Sequence, residues 1–327
     1  MTIQQLLKTA PVTTLLLISF IGLFIMQVLT GADANNPTSE MLIKWGANAL
    51  PFTMNDEPWR LVSSAFLHIG LMHLLFNGFA MYFFGRIAEP MFGSGKFLAL
   101  FLLSAIGGNL LNTQVTWLSI LDGTGQVGLS AGASGGIMGI GAALLMAAFF
   151  NMSVNGMRLN LRSLLFIMGI NLVYGFAVPG IDNAGHIGGA ITGLVIALSF
   201  AVAHRQRVNN LTPIQQNPSI STPINQSIYQ TNKQSPYRNN GEHTYQTRYI
   251  NEASDADSSL STQANTEDET RFNNITHNKA IEQKTAARPS LIWQLLPWAV
   301  ILLISIGFVW WWQDIHQQLL EVLKSIE

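Results

Sequence analysis

Apolar residues in this chain fall into long, nearly unbroken runs, not into short alternating stretches. Seven runs stand out, near residues 11–30, 61–85, 97–117, 132–150, 162–179, 185–203 and 292–312. A bilayer core is about 30 Å thick and is crossed by about 20 residues of α-helix. Backbone amides in lipid must find partners within their own segment, so the runs predict helices. Asn109, Asn112 and Gln114 interrupt the end of the third run and are expected to face the bundle, not lipid. The first run begins at Pro11, outlasts a signal-peptide core and lacks a small-x-small step before Gly31, so it predicts a retained span. Residues 204–289 are of a different composition, dominated by Asn, Gln, Ser and Thr. Such a segment buries too little apolar surface to offset its ordering entropy, which predicts a disordered linker. A flexible linker of that length reaches roughly 50 Å, leaving the seventh run free to dock almost anywhere around the bundle. Its Trp310-Trp311-Trp312 run suits an anchor at the membrane interface.

Composition sharpens the membrane assignment. Only 11% of the 327 residues are charged, against roughly 25% in soluble proteins. Net charge is −1, so nothing points to nucleic acid. The absence of cysteine excludes disulfides, thiol catalysis and cysteine metal sites. Lys8, Arg86, Lys96, Arg158, Arg162, Arg205 and Arg207 all fall on one side if the spans alternate. That side is expected to be cytoplasmic, with the amino terminus inside and the end of span seven outside. Lys44 and Arg60 lie in the first opposite loop.

Polar groups inside such spans are rare and functional by default. Ser134 lies in Gly132-Ala133-Ser134-Gly135-Gly136 and His186 in Ala184-Gly185-His186-Ile187-Gly188-Gly189. The topology puts both at the outer ends of their spans, four and six. Serine also serves simply as a small residue at helix contacts, and histidine as a satisfied buried group. The glycines favour the chemical reading. Gly135 and Gly139 form one small-residue step and Gly189 and Gly193 another, so two backbones can approach closely enough for a hydroxyl to meet an imidazole. Met138 and Gly141 share the Ser134 face. Asp182, just upstream of the histidine, reads more readily as a loop carboxylate in water than as its partner. His73 and Asn77 are at i and i+4 on span two and both can donate hydrogen bonds. With the Ser134 amide they are candidates for an oxyanion hole, each donor being worth about 10²–10³ in rate. His68 falls on another face and reads as structural support. A zinc site is the competing reading, but it wants three or four clustered ligands.

These residues resemble the rhomboid family of intramembrane serine proteases over roughly residues 55–200. The resemblance rests on Trp59-Arg60, on His68, His73 and Asn77, and on Glu89 followed by Gly93-Ser94-Gly95-Lys96. It rests further on Gly132-Ala133-Ser134-Gly135 and on His186 with Gly189 and Gly193. It implies an all-α membrane protein with a six-helix core, here over 1–203; the polar linker 204–289 and the seventh helix over 290–327, read from composition, go beyond that core. It implies a Ser134–His186 dyad, an oxyanion hole of His73, Asn77 and the Ser134 amide, and a Trp59-Arg60 loop dipping into the outer leaflet. No cofactor or metal is implied. The implied partners are transmembrane protein substrates and the lipid bilayer, at a cell membrane with the site opening to the extracytoplasmic side. Met138 stands where some members carry an aromatic that stacks on the histidine, and its thioether is expected to alter base positioning without abolishing activity. Two other functions compete: a non-catalytic relative that escorts membrane proteins, which would have lost the serine or histidine, and a transporter, which would show midplane charges.

Overall fold

The computed structural model describes residues 3–125, 128–154, 157–177, 182–211 and 290–326. The chain divides into two units, one of residues 1–208 with 289–327 and one of residues 209–288. All that follows concerns the first. The polar segment beyond residue 211 lies outside the described residues.

In chain order the helices are α1 (Ile3–Thr9), α2 (Pro11–Leu29), α3 (Ser39–Trp45), α4 (Leu50–Thr53), α5 (Arg60–Ser63), α6 (Leu71–Phe92), α7 (Ser94–Leu121), α8 (Ser134–Phe149), α9 (Leu161–Ala177), α10 (Asn183–Leu211) and α11 (Leu291–Ile326). Two short antiparallel pairs complete the fold: β1 (Asn48–Ala49) with β2 (Leu129–Ser130), and β3 (Ser153–Val154) with β4 (Met157–Arg158). The fold is therefore mostly helical, and all-α only if these pairs are set aside. Each apolar run of the sequence overlaps a helix of 16 residues or more. Among the described residues, α2, α7, α10 and α11 are long and apolar enough to cross a bilayer, and the bent pair α5–α6 makes a fifth. The chain is a multi-pass membrane protein. At 16 and 17 residues, α8 and α9 are shorter than a full crossing.

The second run departs most from expectation. It begins its long helix at Leu71, not near residue 61, and the preceding residues form α5 and a single 3-10 turn set at 94° to it. Gly70 makes the break, with φ +94° and a Cβ position only 2.7 Å from the Asn35 carbonyl oxygen. The Leu71 amide then bonds to the Ala34 carbonyl at 2.8 Å. At its other end α10 runs to Leu211, past the expected end of span six.

Apolar side chains such as Leu15, Phe76, Phe79 and Leu303 point outward. In lipid that exposure is no penalty, and what holds helices together is close packing and hydrogen bonding. Glu89, buried on α6, illustrates the second. Its carboxylate accepts from the Val12 amide at 2.9 Å, and from the Thr13 amide and hydroxyl and the Ser94 hydroxyl at 2.7 Å each. It thus caps the first turn of α2, where backbone donors have no helical acceptor. The segment before α6 is tied down by Arg60. Its guanidinium pairs with Glu57 at 2.5 Å and donates to the carbonyls of Ile43 at 2.7 Å and Ala47 at 3.1 Å. Trp59 beside it is half exposed.

The last helix does have a fixed seat. It packs along α7, and its aromatic residues reach into the protein. The Trp311 indole donates to Gln114 at 3.0 Å, Trp312 to the Thr53 carbonyl at 2.9 Å, and Trp117 of α7 to Gln318 at 3.0 Å. His316 bonds the Met54 carbonyl. Ile315 is fully buried with Leu50, Met54, Leu61, Leu110 and Trp117.

Candidate active site

Ser134 is the first residue of α8. The chain reaches it from β2 through Gly132, whose φ of +148° a side chain would disfavour and whose amide bonds the Ser64 carbonyl at 2.9 Å. The first hydrogen bond of the helix runs from Ile137 to Ala133. The amides of Ser134, Gly135 and Gly136 therefore lack helical acceptors and form the positive end of the helix dipole.

Two side chains of α6 close on this loop. A Cβ on Gly132 would lie 2.7 Å from His73 Cε1, 2.9 Å from His73 Nε2 and 3.7 Å from Asn77 Nδ2. Only a glycine admits that approach. His73 Nδ1 accepts from the Ile69 amide at 3.3 Å, so in the neutral ring the proton sits on Nε2, toward Gly132. Asn77 Nδ2 is buried with no partner among the described residues. Buried donors left unpaired are costly, and one facing a serine loop is a place for an oxygen that arrives later. His68 is fully buried in the turn before α6, its ring edge-on to His73 at 5.4 Å and 5.2 Å from Phe20. It props His73 in place.

His186 is the fourth residue of α10. Below it the two glycine steps meet. A Cβ on Gly189 would lie 2.1 Å from the Gly135 carbonyl oxygen, and one on Gly193 would lie 2.3 Å from that of Gly139. The α8 and α10 backbones are thus in direct contact over two turns, with Ser134 one residue before Gly135 and His186 three before Gly189. Among the described residues no hydrogen bond joins the Ser134 hydroxyl to the imidazole, and His186 Nδ1 is buried without a partner. Unliganded sites often hold such pairs at a longer distance than the reacting complex does. Met138 is buried in the main core. Gly141, on the Ser134 face, lets α9 approach, since a Cβ there would meet Met168 Sδ at 2.3 Å.

Asp182 differs from its expectation as a solvated loop carboxylate. One of its oxygens accepts the Ser130 hydroxyl and the other the Gly185 amide, both at 2.7 Å. Sequence reading also missed Ser64 and Ser130, and of Asn109 it expected only that it face the bundle, as it does. Asn109 Nδ2 donates to the Leu61 carbonyl and the Ser64 hydroxyl at 2.8 Å each, holding the segment that receives Gly132. Only the polar interruption of the third run hinted at it. Among the described residues no three His, Asp or Glu side chains gather as metal ligands.

Known proteins resemble this chain over the region that holds these residues. The Rhomboid domain family matches residues 55–202, which include Ser134, His186, His73 and Asn77. The rhomboid protease AarA of Providencia stuartii is 30% identical over 221 residues, 63% of this chain and 78% of that protein. This chain belongs to the rhomboid family of intramembrane serine proteases. The rhomboid protease GluP of Bacillus subtilis is 36% identical over 193 residues, covering 59% of this chain and 35% of that protein. The mitochondrial RHOMBOID-like protein 6 of Arabidopsis thaliana is 35% identical over 175 residues, covering 53% of this chain and 54% of that one. The last two matches thus span about a third and a half of those relatives.

Proposed function

We propose that this rhomboid hydrolyses a peptide bond in a membrane-anchored protein, near the outer interface, by a Ser134–His186 dyad. His186 takes the Ser134 proton as Oγ attacks the scissile carbonyl. The oxyanion settles among the Ser134 amide, His73 Nε2–H and Asn77 Nδ2–H. His186 then protonates the leaving amine, and water resolves the acyl-enzyme. The observation that carries the reading is the Asn77 amide, buried, unpartnered and facing the Gly132–Ser134 turn beside His73. The glycine contact of α8 with α10 supports it by setting His186 at the same end of the bundle as Ser134.

The core over residues 1–203 lies in the membrane as six spans, with α8 and α9 as the two short ones; the seventh follows the polar linker 204–289, and the site opens to the extracytoplasmic side of a cell membrane. The distribution of Lys and Arg among the loops supports that orientation. A regular transmembrane helix is a poor substrate because its amides are already bonded, so substrates carry helix-breaking or small residues near the interface. Ser134→Ala removes the nucleophile while leaving folding intact, and cleavage of such a substrate in liposomes should vanish. A fluorophosphonate should label the wild-type chain at Ser134 and leave the alanine variant unlabelled. Undiminished cleavage by Ser134→Ala defeats the proposal.

A further inference from the structure

We infer that Asp182 is a positioning residue of the reaction, a clasp between the loop that delivers Ser134 and the helix that delivers His186. The inference rests on the dyad reading above. Nucleophile and base come from separate elements, α8 and α10, and no hydrogen bond between their side chains holds them together among the described residues. The link lies in the loops just outside. Ser130, four residues before Ser134, donates its hydroxyl to Asp182 Oδ2 at 2.7 Å. Asp182 Oδ1 accepts the Gly185 amide at 2.7 Å, and the Asp182 carbonyl accepts the His186 amide at 3.1 Å. Asp182 is thus the N-cap of α10, with His186 one turn on. Both carboxylate oxygens are committed, one to each catalytic element.

The fit around this link is tight. A Cβ on Gly185 would lie 2.3 Å from Asp182 Oδ2, and one on Gly108 of α7 would lie 2.5 Å from the Gly185 carbonyl oxygen. Ser130 is in turn fixed by pairing with Asn48 across β1 and β2, and Gly132 by its bond to Ser64. The carboxylate makes no hydrogen bond to the imidazole. It acts through the backbone, by setting where the first turn of α10 begins relative to the serine loop. Misplacement of a reacting group by about 1 Å costs on the order of 10²-fold in rate.

The test is the rate of fluorophosphonate acylation of the full-length chain in detergent, together with kcat and KM for a transmembrane substrate. Measurements are taken well below the thermal midpoint and normalised to folded protein. Asp182→Ala should slow acylation and kcat by about 10- to 100-fold while KM changes by less than about threefold. Asp182→Asn keeps an N-cap acceptor and a partner for Ser130, and should recover most of the rate. Ser130→Ala should slow acylation too, and adding it to Asp182→Ala should change little further, because both remove one link. A purely structural role would lower the midpoint and leave the rate per folded molecule unmoved, and that result overturns the inference. If Asp182→Ala does not fold, Ser130→Ala and Asp182→Asn carry the test alone, and wild-type acylation by Ser130→Ala is the overturning result. The dyad reading fails differently: then the wild-type chain is not labelled at Ser134, or His186→Ala labels as fast as wild type.

Discussion

Two helix contacts in this rhomboid are built on opposite plans. Between α8 and α10 glycine backbones touch, with Gly189 and Gly193 against the carbonyls of Gly135 and Gly139. Between α11 and α7 the contact is made by long side chains, through the indoles of Trp117 and Trp311 and the amides of Gln114 and Gln318. A backbone contact has no side chain to adjust, so it fixes position to a fraction of an ångström and tolerates no added atom. A contact through indoles and amides adapts by rotamer changes. The rigid plan stands beside Ser134 and His186, and the adaptable one where the last helix is attached.

The contrast can be broken by substitution. Gly193→Val forces a side chain into the Gly139 backbone and should destabilise the fold by about 3 kcal/mol or more, read as loss of a cooperative thermal transition in detergent. Trp311→Phe removes one hydrogen bond to Gln114 of α7 but keeps a ring in place, and should cost about 1 kcal/mol with cleavage nearly unchanged. If the tryptophan change proves as damaging as the valine, the distinction between the two contacts is wrong. The smallest effect is that of acid on the loops that carry Asp33 and Asp122. The Asn35 and then the Asn36 amide hold the Asp33 carboxyl below its ordinary value, and the Thr124 hydroxyl and amide do the same for Asp122. A depressed value means that the carboxylates lend their stability in full above about pH 4 and lose it as pH falls further. Both are exposed, so thermal midpoints at pH 7 and pH 5 should coincide, with only a slight drop by pH 3.

The same contrast explains what could be read from sequence. Small-residue steps advertise a backbone contact in one dimension, so Gly135, Gly139, Gly189 and Gly193 pointed to a close α8–α10 pair before any coordinates. Spans appeared as apolar runs because lipid demands them. The start of α6 was hidden because residues 61–67 are nearly as apolar as those after the turn, and only the positive φ of Gly70 separates them. The seat of α11 was hidden for another reason. An indole is amphipathic whether its N–H meets a headgroup, Gln114 or the Thr53 carbonyl, so the tryptophan run looked like an interfacial belt. Asp182 was misjudged because its partner, Ser130, is 52 residues away and no local pattern joins them.

Glu89 has an effect well beyond its own neighbourhood. By gripping Thr13 through amide and hydroxyl together, it leaves α2 unable to rotate about its own axis. Phe20 is seven residues further on, two turns and about 10 Å along the same azimuth. There it lies against the His68 ring, which in turn abuts His73. A carboxylate at one end of the bundle thereby sets the angular bearing of an aromatic ring at the other.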